Sequence, residues 1–190
     1  MEVTVKRVMG WDIAVDDARF TVHKESLGKE PSLEWRRKAC LAEHSVIRDV
    51  RFIVEIKDIP CWCSQHIARH DAFADHTVRE SKEQHFVATS RTDRTGIDRN
   101  KLPQDAPVGH RISLSAEDLI TISRRRLCNC ASKETREIWR AVIEAVRKVD
   151  PVVASCCVPN CVYRGRCPEM QGCGWDKSEA FKSTVEAYWL

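Results

Sequence analysis

The chain has 190 residues, the size of one domain with a sizeable apolar core. Its 43% hydrophobic and 31% charged residues are typical of a soluble globular protein. A net charge of +3 is too small for a general nucleic-acid-binding surface, so we expect no nucleic-acid partner. No apolar run has the length of a membrane span or of a signal-peptide core. We therefore expect a single domain over residues 1–190, located in the cytoplasm.

The first sixty residues predict a strand, a helix and a second strand. Residues 2–8 alternate apolar and polar side chains as a strand does, whereas residues 11–30 show no clear pattern. A helix is predicted from Ser32 to Ala42. Its expected buried positions are Leu33, Trp35, Ala39 and Cys40. A half-buried strand then leads to Pro60. Its expected inward positions are Val50, Phe52, Val54 and Ile56.

The middle of the chain predicts a helix, a polar loop and a strand. Residues 61–73 follow Pro60 and favour a helix. Residues 89–107 are rich in turn-forming and basic residues, which is typical of a loop that either binds phosphate or is simply solvated. Residues 110–114 have the composition of a strand.

Two helices joined by a short break are predicted between Leu114 and Trp139. Ser115 followed by Asp118 has the pattern of a capping box, and Ser132 is a suitable cap for the second helix. Three arginines, at 124–126, occupy the last turn of the first helix, where the helix dipole favours cations. The apolar stripe of the second helix is Ile138, Trp139, Val142, Ile143 and Val146.

Beyond Asp150 the sequence predicts a short helix at 151–157, an irregular cysteine-rich loop and a final helix at 178–188. The final helix is expected to pack through Phe181, Val185 and Trp189. Residues 156–175 contain five of the ten cysteines, and Cys156 and Cys157 are expected in the core. In a reducing compartment, cysteines serve as metal ligands, catalytic thiols or buried apolar side chains more often than as disulfides.

A metal site is one interpretation of this loop. Cys161, Cys167 and Cys173 are separated by five residues each, and Cys128 or Cys130 is available as a fourth ligand. Four thiolates suit tetrahedral zinc or, alternatively, an iron–sulfur cluster. We take Cys128 as the fourth ligand and expect zinc. The competing interpretation is that these cysteines are buried without a metal.

Arginines from separate segments are candidates for an anion site. Arg69, Arg91 and Arg126 are far apart in sequence, and the planar guanidinium fork suits a phosphate because it makes bidentate hydrogen bonds. Sequence alone does not bring the three together. The competing interpretation is that they close helices and contact solvent.

Several phrases, in consistent order over residues 44–148, resemble one enzyme family. They are the segment 44–60, Arg69-His70, Thr89-Ser90-Arg91, the phrase 99–103, and Arg125-Arg126 followed by Ala131 to Arg136. Together they resemble the flavin-dependent thymidylate synthases, the ThyX family. The resemblance implies an α/β (α+β) fold with a mainly antiparallel sheet flanked by helices, and assembly as a homotetramer.

The resemblance also implies a transferase that adds a one-carbon unit at C5 of dUMP or dCMP, either methyl or hydroxymethyl. It implies FAD as cofactor, with methylenetetrahydrofolate and NADPH as cosubstrates. The catalytic residue it implies is Arg126, which would stabilise negative charge on the pyrimidine ring. The implied substrate-binding residues are Gln65, His66, Arg69, Thr89, Ser90, Arg91 and Arg126. The implied cofactor-binding residues are Arg69, His70, Ser115 and Thr121.

Departures from the family pattern concern mainly the flavin. Asp71 and Glu117 place negative charges where the family has positive ones. We therefore expect nucleotide binding to be kept and FAD to be bound differently or lost. The cysteine-rich tail lies outside the family pattern and favours a divergent, phage-type member that acts in the host cytoplasm. The alternative is a non-methylating nucleotide-binding or nucleic-acid-interacting protein stabilised by a cysteine-bound metal.

Overall fold

The computed structural model describes residues 1–69, 87–89, 96 and 98–190, with the backbone alone for 87–89 and for residue 99. It combines four strands with eight α-helices in the described part of the chain. The strands are β1 (Glu2–Met9), β2 (Arg51–Pro60), β3 (Val87–Thr89) and β4 (Pro107–Ser115). The helices are α1 (Trp11–Phe20), α2 (Leu33–Leu41), α3 (Cys61–Ala68), α4 (Ala116–Arg126), α5 (Lys133–Val149), α6 (Pro151–Cys156), α7 (Asn160–Arg164) and α8 (Glu179–Trp189).

The strands form one antiparallel sheet in the order β1-β2-β4-β3. In the register of this sheet, Val54 of β2 lies between Val5 of β1 and Ile112 of β4. Antiparallel sheets commonly bury one face and expose the other. The predicted fold, helices flanking a mainly antiparallel sheet, is therefore confirmed.

One face of the sheet is apolar and the other is charged. The predicted inward positions of β2 are all buried, which confirms the half-buried strand. On the opposite face, Arg111 of β4 pairs with Glu55 of β2 at 2.8 Å, and Lys57 pairs with Glu2 of β1 at 3.1 Å. Opposite charges placed directly across strands add a little stability while keeping this face hydrated.

A bulge interrupts β2 near its end. The strand pairing shifts register between Ile56 and Ile59, and Asp58 between them has a left-handed backbone with φ of 59°. Both isoleucines are buried although three positions separate them, whereas a regular strand returns to the same face every two residues. The bulge therefore resets the inward face just before α3 begins at Cys61.

Helix α5 covers the buried face and supplies the largest apolar stripe. All five stripe residues predicted from the sequence are buried, and the helix packs on β1 and β2. The indole N–H of Trp139 donates to the Ser123 hydroxyl at 2.8 Å, so this fully buried ring keeps a partner for its one polar atom. Each large apolar side chain buried in this way contributes roughly 1.5–3 kcal/mol.

A buried carboxylate joins three elements of the core. Asp150 is 1% exposed, and its Oδ2 accepts hydrogen bonds from Arg7 at 3.0 Å and from the Trp11 indole at 2.7 Å. Its Oδ1 accepts from the backbone N–H of Val153 at 3.1 Å and so caps α6. Asp150 thus links β1, α1 and the junction between α5 and α6.

Some local features differ from the predictions or lie beyond them. Helix α1 forms in a segment for which the sequence predicted no element. The predicted burial of Leu33 was wrong: it is 61% exposed because it begins α2 on the solvent side. Trp189 contacts the ring of Tyr188 but remains half exposed. Ser132 stands at the cap position of α5, but its hydroxyl bonds to a side chain rather than to the helix backbone. The predicted irregular loop contains the short helix α7.

The C-terminal segment has a small core of its own, separate from the main one. Its buried members are Cys161, Val162, Phe181 and Tyr188, with Val185 packed against them. Cys156 and Cys157 belong to the main core, as the sequence predicted. None of the described helices is both long enough and apolar enough to span a membrane.

Candidate nucleotide site and cysteine-lined cavity

The three arginines that end α4 have three different partners. Arg124 pairs with Glu43 at 2.5 Å and lies over the ring of Tyr163, with its guanidinium carbon 3.6 Å from the ring centre. Arg125 is exposed and lies 3.8 Å from the Glu169 carboxylate. Arg126 instead turns towards α3 and donates from Nη2 to the backbone carbonyl of His66 at 2.6 Å. Arg126 is therefore the arginine of this cluster that joins α4 to α3.

The start of α4 determines where this cluster lies. Ser115 and Asp118 form the predicted capping box, in which each side chain bonds to the backbone N–H of the other. The Ser115 hydroxyl is buried and also donates to Asp118 at 2.7 Å, so its role in this structure is to cap the helix. Thr121, the other cofactor-binding residue predicted on α4, is exposed.

His66 is held between α3 and α5. Its Nδ1 lies 3.4 Å from the Thr135 hydroxyl, and its ring makes an edge contact with Trp62 at 5.2 Å between centres. Burial, together with the positive charges of Arg126 and Arg69, lowers the pKa of His66, so the imidazole is neutral at neutral pH. The hydrogen bond from Arg126 to the His66 carbonyl shows that α3 and α4, which carry two of the predicted substrate-binding segments, meet here.

The Thr135 hydroxyl lies among three polar groups. It is 2.7 Å from the Ser132 hydroxyl, 3.4 Å from Nδ1 of His66 and 3.7 Å from the sulfur of Cys63. Each of these groups can donate or accept, so the direction of the contact with Nδ1 follows the tautomer of the ring. Either tautomer leaves Nδ1 engaged with Thr135 inside the protein.

Thr135 is the residue of this site that the sequence analysis missed. It is fully buried, three residues before Ile138, and so continues the apolar stripe of α5 towards the helix start. A hydroxyl in line with an apolar stripe has to find a polar partner, because burying it alone costs about 1–3 kcal/mol. The position of Thr135 in line with this apolar stripe could therefore have identified it as a buried polar residue from the sequence.

The other predicted substrate-binding residues have different placements. Gln65 and Arg69 are exposed, and Arg69 is the capping residue at the end of α3. Four further predicted residues lie outside the part of the chain whose side chains are described: His70, Thr89, Ser90 and Arg91.

The reversed charge at Glu117 is neutralised locally. Its carboxylate accepts two hydrogen bonds from Arg48, at 2.6 and 3.2 Å. A bidentate pair of this geometry cancels most of the negative potential that Glu117 would direct at a neighbouring phosphate. Glu117 therefore argues less strongly against an anionic cofactor than the sequence alone suggested.

A buried histidine on β4 contacts α3. Nδ1 of His110 on β4 lies 2.8 Å from the Ser64 hydroxyl of α3, and both residues are buried. Burial lowers the pKa of His110 to about 4, so the ring is neutral. This contact links α3 to the central strands below the His66 and Arg126 pair.

The four cysteines predicted to bind a metal line one cavity of about 290 Å³, together with Cys130. They come from the turn between α4 and α5, from α7 and from the loop that follows it. The pKa of the Cys161 thiol is raised to about 11 by burial, with further contributions from the neighbouring thiols of Cys128 and Cys167. Within the described ranges, no three candidate ligands converge closely enough to hold a single metal ion.

No protein-family model and no curated protein matches this chain in sequence. Solved structures do match. The flavin-dependent thymidylate synthase ThyX from Helicobacter pylori, complexed with FAD and dUMP, is 17% identical; the match covers 83% of this chain and 100% of that one, with a TM-score of 0.59. Another FAD and dUMP complex of ThyX from that organism is 14% identical over 83% and 99% of the two chains, with a TM-score of 0.60.

A third match is the UMP/dUMP methylase PolB from Streptomyces cacaoi, bound to 5-Br dUMP. It is 13% identical over 82% of this chain and 94% of that one, with a TM-score of 0.57. Identities this low show a shared fold. The chain is therefore ThyX-like in fold, as its sequence motifs predicted.

Proposed function

We propose that this protein binds a pyrimidine deoxynucleotide monophosphate, dUMP or dCMP, and transfers a one-carbon unit to C5 of its base. The observation that carries the proposal is the Arg126 guanidinium docked on the carbonyl of His66, because it joins the two segments that resemble the nucleotide-binding motifs. The ThyX fold and the dUMP or 5-Br dUMP in the matching structures support the same ligand class.

Arg126 has the properties of an anion-binding and charge-stabilising group. The guanidinium is half-buried, and although burial lowers its pKa, an arginine remains protonated at neutral pH. Its hydrogen bond to a backbone carbonyl fixes the direction of the fork. A cation held rigidly in a partly desolvated place stabilises negative charge that develops on a pyrimidine ring during attack from C5.

His66 suits the edge of the base. A neutral imidazole has one donor and one acceptor nitrogen, and the Watson–Crick edges of uracil and cytosine carry both N–H donors and acceptor atoms. Arg69, exposed at the end of the same helix, adds positive charge for the phosphate. Gln65, Thr89, Ser90 and Arg91 remain proposed substrate contacts because of their motif positions.

The residues predicted to hold the flavin do not form a preformed diphosphate cradle in the described part of the chain. Of the four, Arg69 and Thr121 are exposed, Ser115 is used as a helix cap, and His70 lies outside the described residues. When bound, FAD would supply hydride, with methylenetetrahydrofolate as one-carbon donor and NADPH as reductant.

Titration calorimetry with dUMP and with dCMP tests the nucleotide site. We expect Arg126→Ala to weaken binding roughly 10- to 150-fold, the loss of one or more hydrogen bonds from a charged donor. Arg125→Ala is the matched control, since the neighbouring arginine points to Glu169 and should leave affinity unchanged. Absence of binding of either nucleotide to the unaltered protein, or an equal loss in the control, would refute the proposal.

Turnover is a separate measurement. Mass spectrometry of the nucleotide after incubation with FAD, methylenetetrahydrofolate and NADPH should show a gain of methyl or hydroxymethyl at C5. Binding without any mass change would favour the non-methylating alternative. The proposal includes a homotetramer, because the family resemblance implies one, and sedimentation analysis measures its mass directly.

A further inference from the structure

The cysteine-lined cavity has no role in the function proposed above. Its wall brings together thiols from three stretches of chain that share no regular element: Cys128, Cys130, Cys161, Cys167 and Cys173. These are half of all the cysteines in the sequence. Thiols gathered at one cavity, in a chain whose other cysteines are mostly packed in the main core, indicate a bound group that thiolates recognise.

The arrangement of the thiols fits a cluster better than a single ion. Tetrahedral zinc with bonds of about 2.3 Å draws its four sulfurs to within about 3.8 Å of one another. In the described part of the chain, no three ligands converge in that way. The cavity of about 290 Å³ also far exceeds the ~10–15 Å³ that a water-sized occupant needs. Thiols spaced around a larger space fit a polynuclear centre.

Two of the sulfurs already accept hydrogen bonds of the kind that tune metal–thiolate centres. The backbone N–H of Cys130 donates to Sγ of Cys128 at 3.5 Å, and the Asn129 side-chain amide lies 3.8 Å from Sγ of Cys173 as its donor. Outer hydrogen bonds to thiolate sulfur set the stability and potential of iron–sulfur centres. The thiol of Cys130 donates to the backbone carbonyl of Gln171 at 3.8 Å. We therefore assign the other four cysteines of the cavity, and not Cys130, as ligands.

The charges in the wall are mixed. Arg140 supplies a positive charge that favours a thiolate-bound cluster, whose net charge is negative. Glu169 and Asp176 also line the cavity, and Glu169 is paired with Arg125 at 3.8 Å. The wall is therefore close to neutral before a centre binds.

We propose that this cavity binds a four-iron, four-sulfide cluster (4Fe–4S) through Cys128, Cys161, Cys167 and Cys173. The cluster is transferred intact from a small iron–sulfur thiolate complex: four iron bonds to the small thiolates break, and four bonds to the cysteine sulfurs form. The four cysteine protons pass to the released thiolates, and no iron changes its oxidation state. The centre ties the C-terminal segment, whose own core is small, to the turn that follows α4. Its role is to hold that turn in place.

Chemical analysis of the full chain tests the proposal directly. After anaerobic purification, or reconstitution with a preformed 4Fe–4S cluster held by small thiolates, we expect about four iron and four acid-labile sulfide per chain. One zinc per chain without labile sulfide would overturn it, and so would a chain that retains neither element after reconstitution. Both assays are independent of flavin and of nucleotide turnover, so failure of the nucleotide proposal would not be confused with failure of this one.

Variants test the ligand set. Cys173→Ser removes one of the four thiolate ligands and should therefore lower the bound iron from about four to three or fewer per chain. Because Cys173 is exposed, the substitution leaves the apolar core intact. Cys61→Ser, outside the cavity, should keep all of its iron. Circular dichroism establishes that each variant is folded. Retention of the full iron content by Cys173→Ser, or loss of iron from Cys130→Ser, would overturn the assignment of ligands.

Discussion

Replacement of the buried carboxylate Asp150 by alanine should be among the most destabilising single changes in this chain. The change removes a hydrogen bond to the charged Arg7, worth about 1.5–3 kcal/mol, and a helix cap worth about 1 kcal/mol. It also leaves the fully buried indole N–H of Trp11 without its acceptor, at about 1–3 kcal/mol. Because one side chain makes all three contacts, their losses overlap, and we expect a net loss of about 3–5 kcal/mol.

Thermal unfolding followed by circular dichroism measures this loss. For a chain of this size, 1 kcal/mol lowers Tm by about 2–4 °C, so Asp150→Ala should lower it by roughly 6–20 °C. Glu30→Ala is the control: Glu30 pairs with the same arginine and with Arg36, but its side chain is one-third exposed, so we expect a smaller loss of about 1–2 kcal/mol. Equal shifts in the two variants would refute the view that Asp150 links β1, α1 and α6.

Two further predictions concern other buried contacts. The folded-state pKa of His110, about 4, lies below its unfolded value of about 6.5, so the unfolded chain binds more protons between these values. His110 should therefore lower the free energy of unfolding as pH falls through this window, by up to about 1.4 kcal/mol per pH unit. Denaturant titrations at pH 7 and pH 5 measure this decrease, and it should be smaller in His110→Asn than in the unaltered protein. Identical decreases in the two proteins would contradict the prediction. Arg124→Ala should lower the free energy of unfolding by about 1–3 kcal/mol, because it removes the ion pair with Glu43 and the contact with the Tyr163 ring. The control Arg125→Ala should change the free energy of unfolding by less than about 0.5 kcal/mol. Similar values for both variants would count against the cation–π contact.

The elements with strong periodicity could be predicted from the sequence, and those that depend on distant partners could not. The stripe of α5 and the alternation of β2 repeat often enough to define their buried faces. Helix α1 has no comparable repetition, and its position depends on Trp11, whose indole binds Asp150 far away in the chain. Leu33 illustrates a further limit, since a helical period does not say how far burial extends into the first turn.

The candidate site could be predicted in part because its residues belong to recognisable phrases. The resemblance implies that Arg126 and His66 serve one substrate site, and the Arg126 guanidinium bonds to the backbone carbonyl of His66. The sequence could not show that three consecutive arginines have different partners. Arg124 and Arg125 differ from Arg126 only in the direction in which the helix points each side chain. The pairing of Glu117 with Arg48 was likewise unforeseen, since nothing local connects residues that are 69 positions apart.

The bulge at Asp58 determines which face of the sheet the last residues of β2 occupy. From Ile56 to Ile59 the strand β2 advances three residues while β4 advances two, from His110 to Val108, so the bulge absorbs one extra residue. Deleting that residue would leave a regular strand in which Ile59 still faces inward, whereas pairing that kept every residue but lost the bulge would turn Ile59 towards solvent. The one-residue irregularity thus keeps Ile59 in the core just before α3, the helix that carries His66, begins.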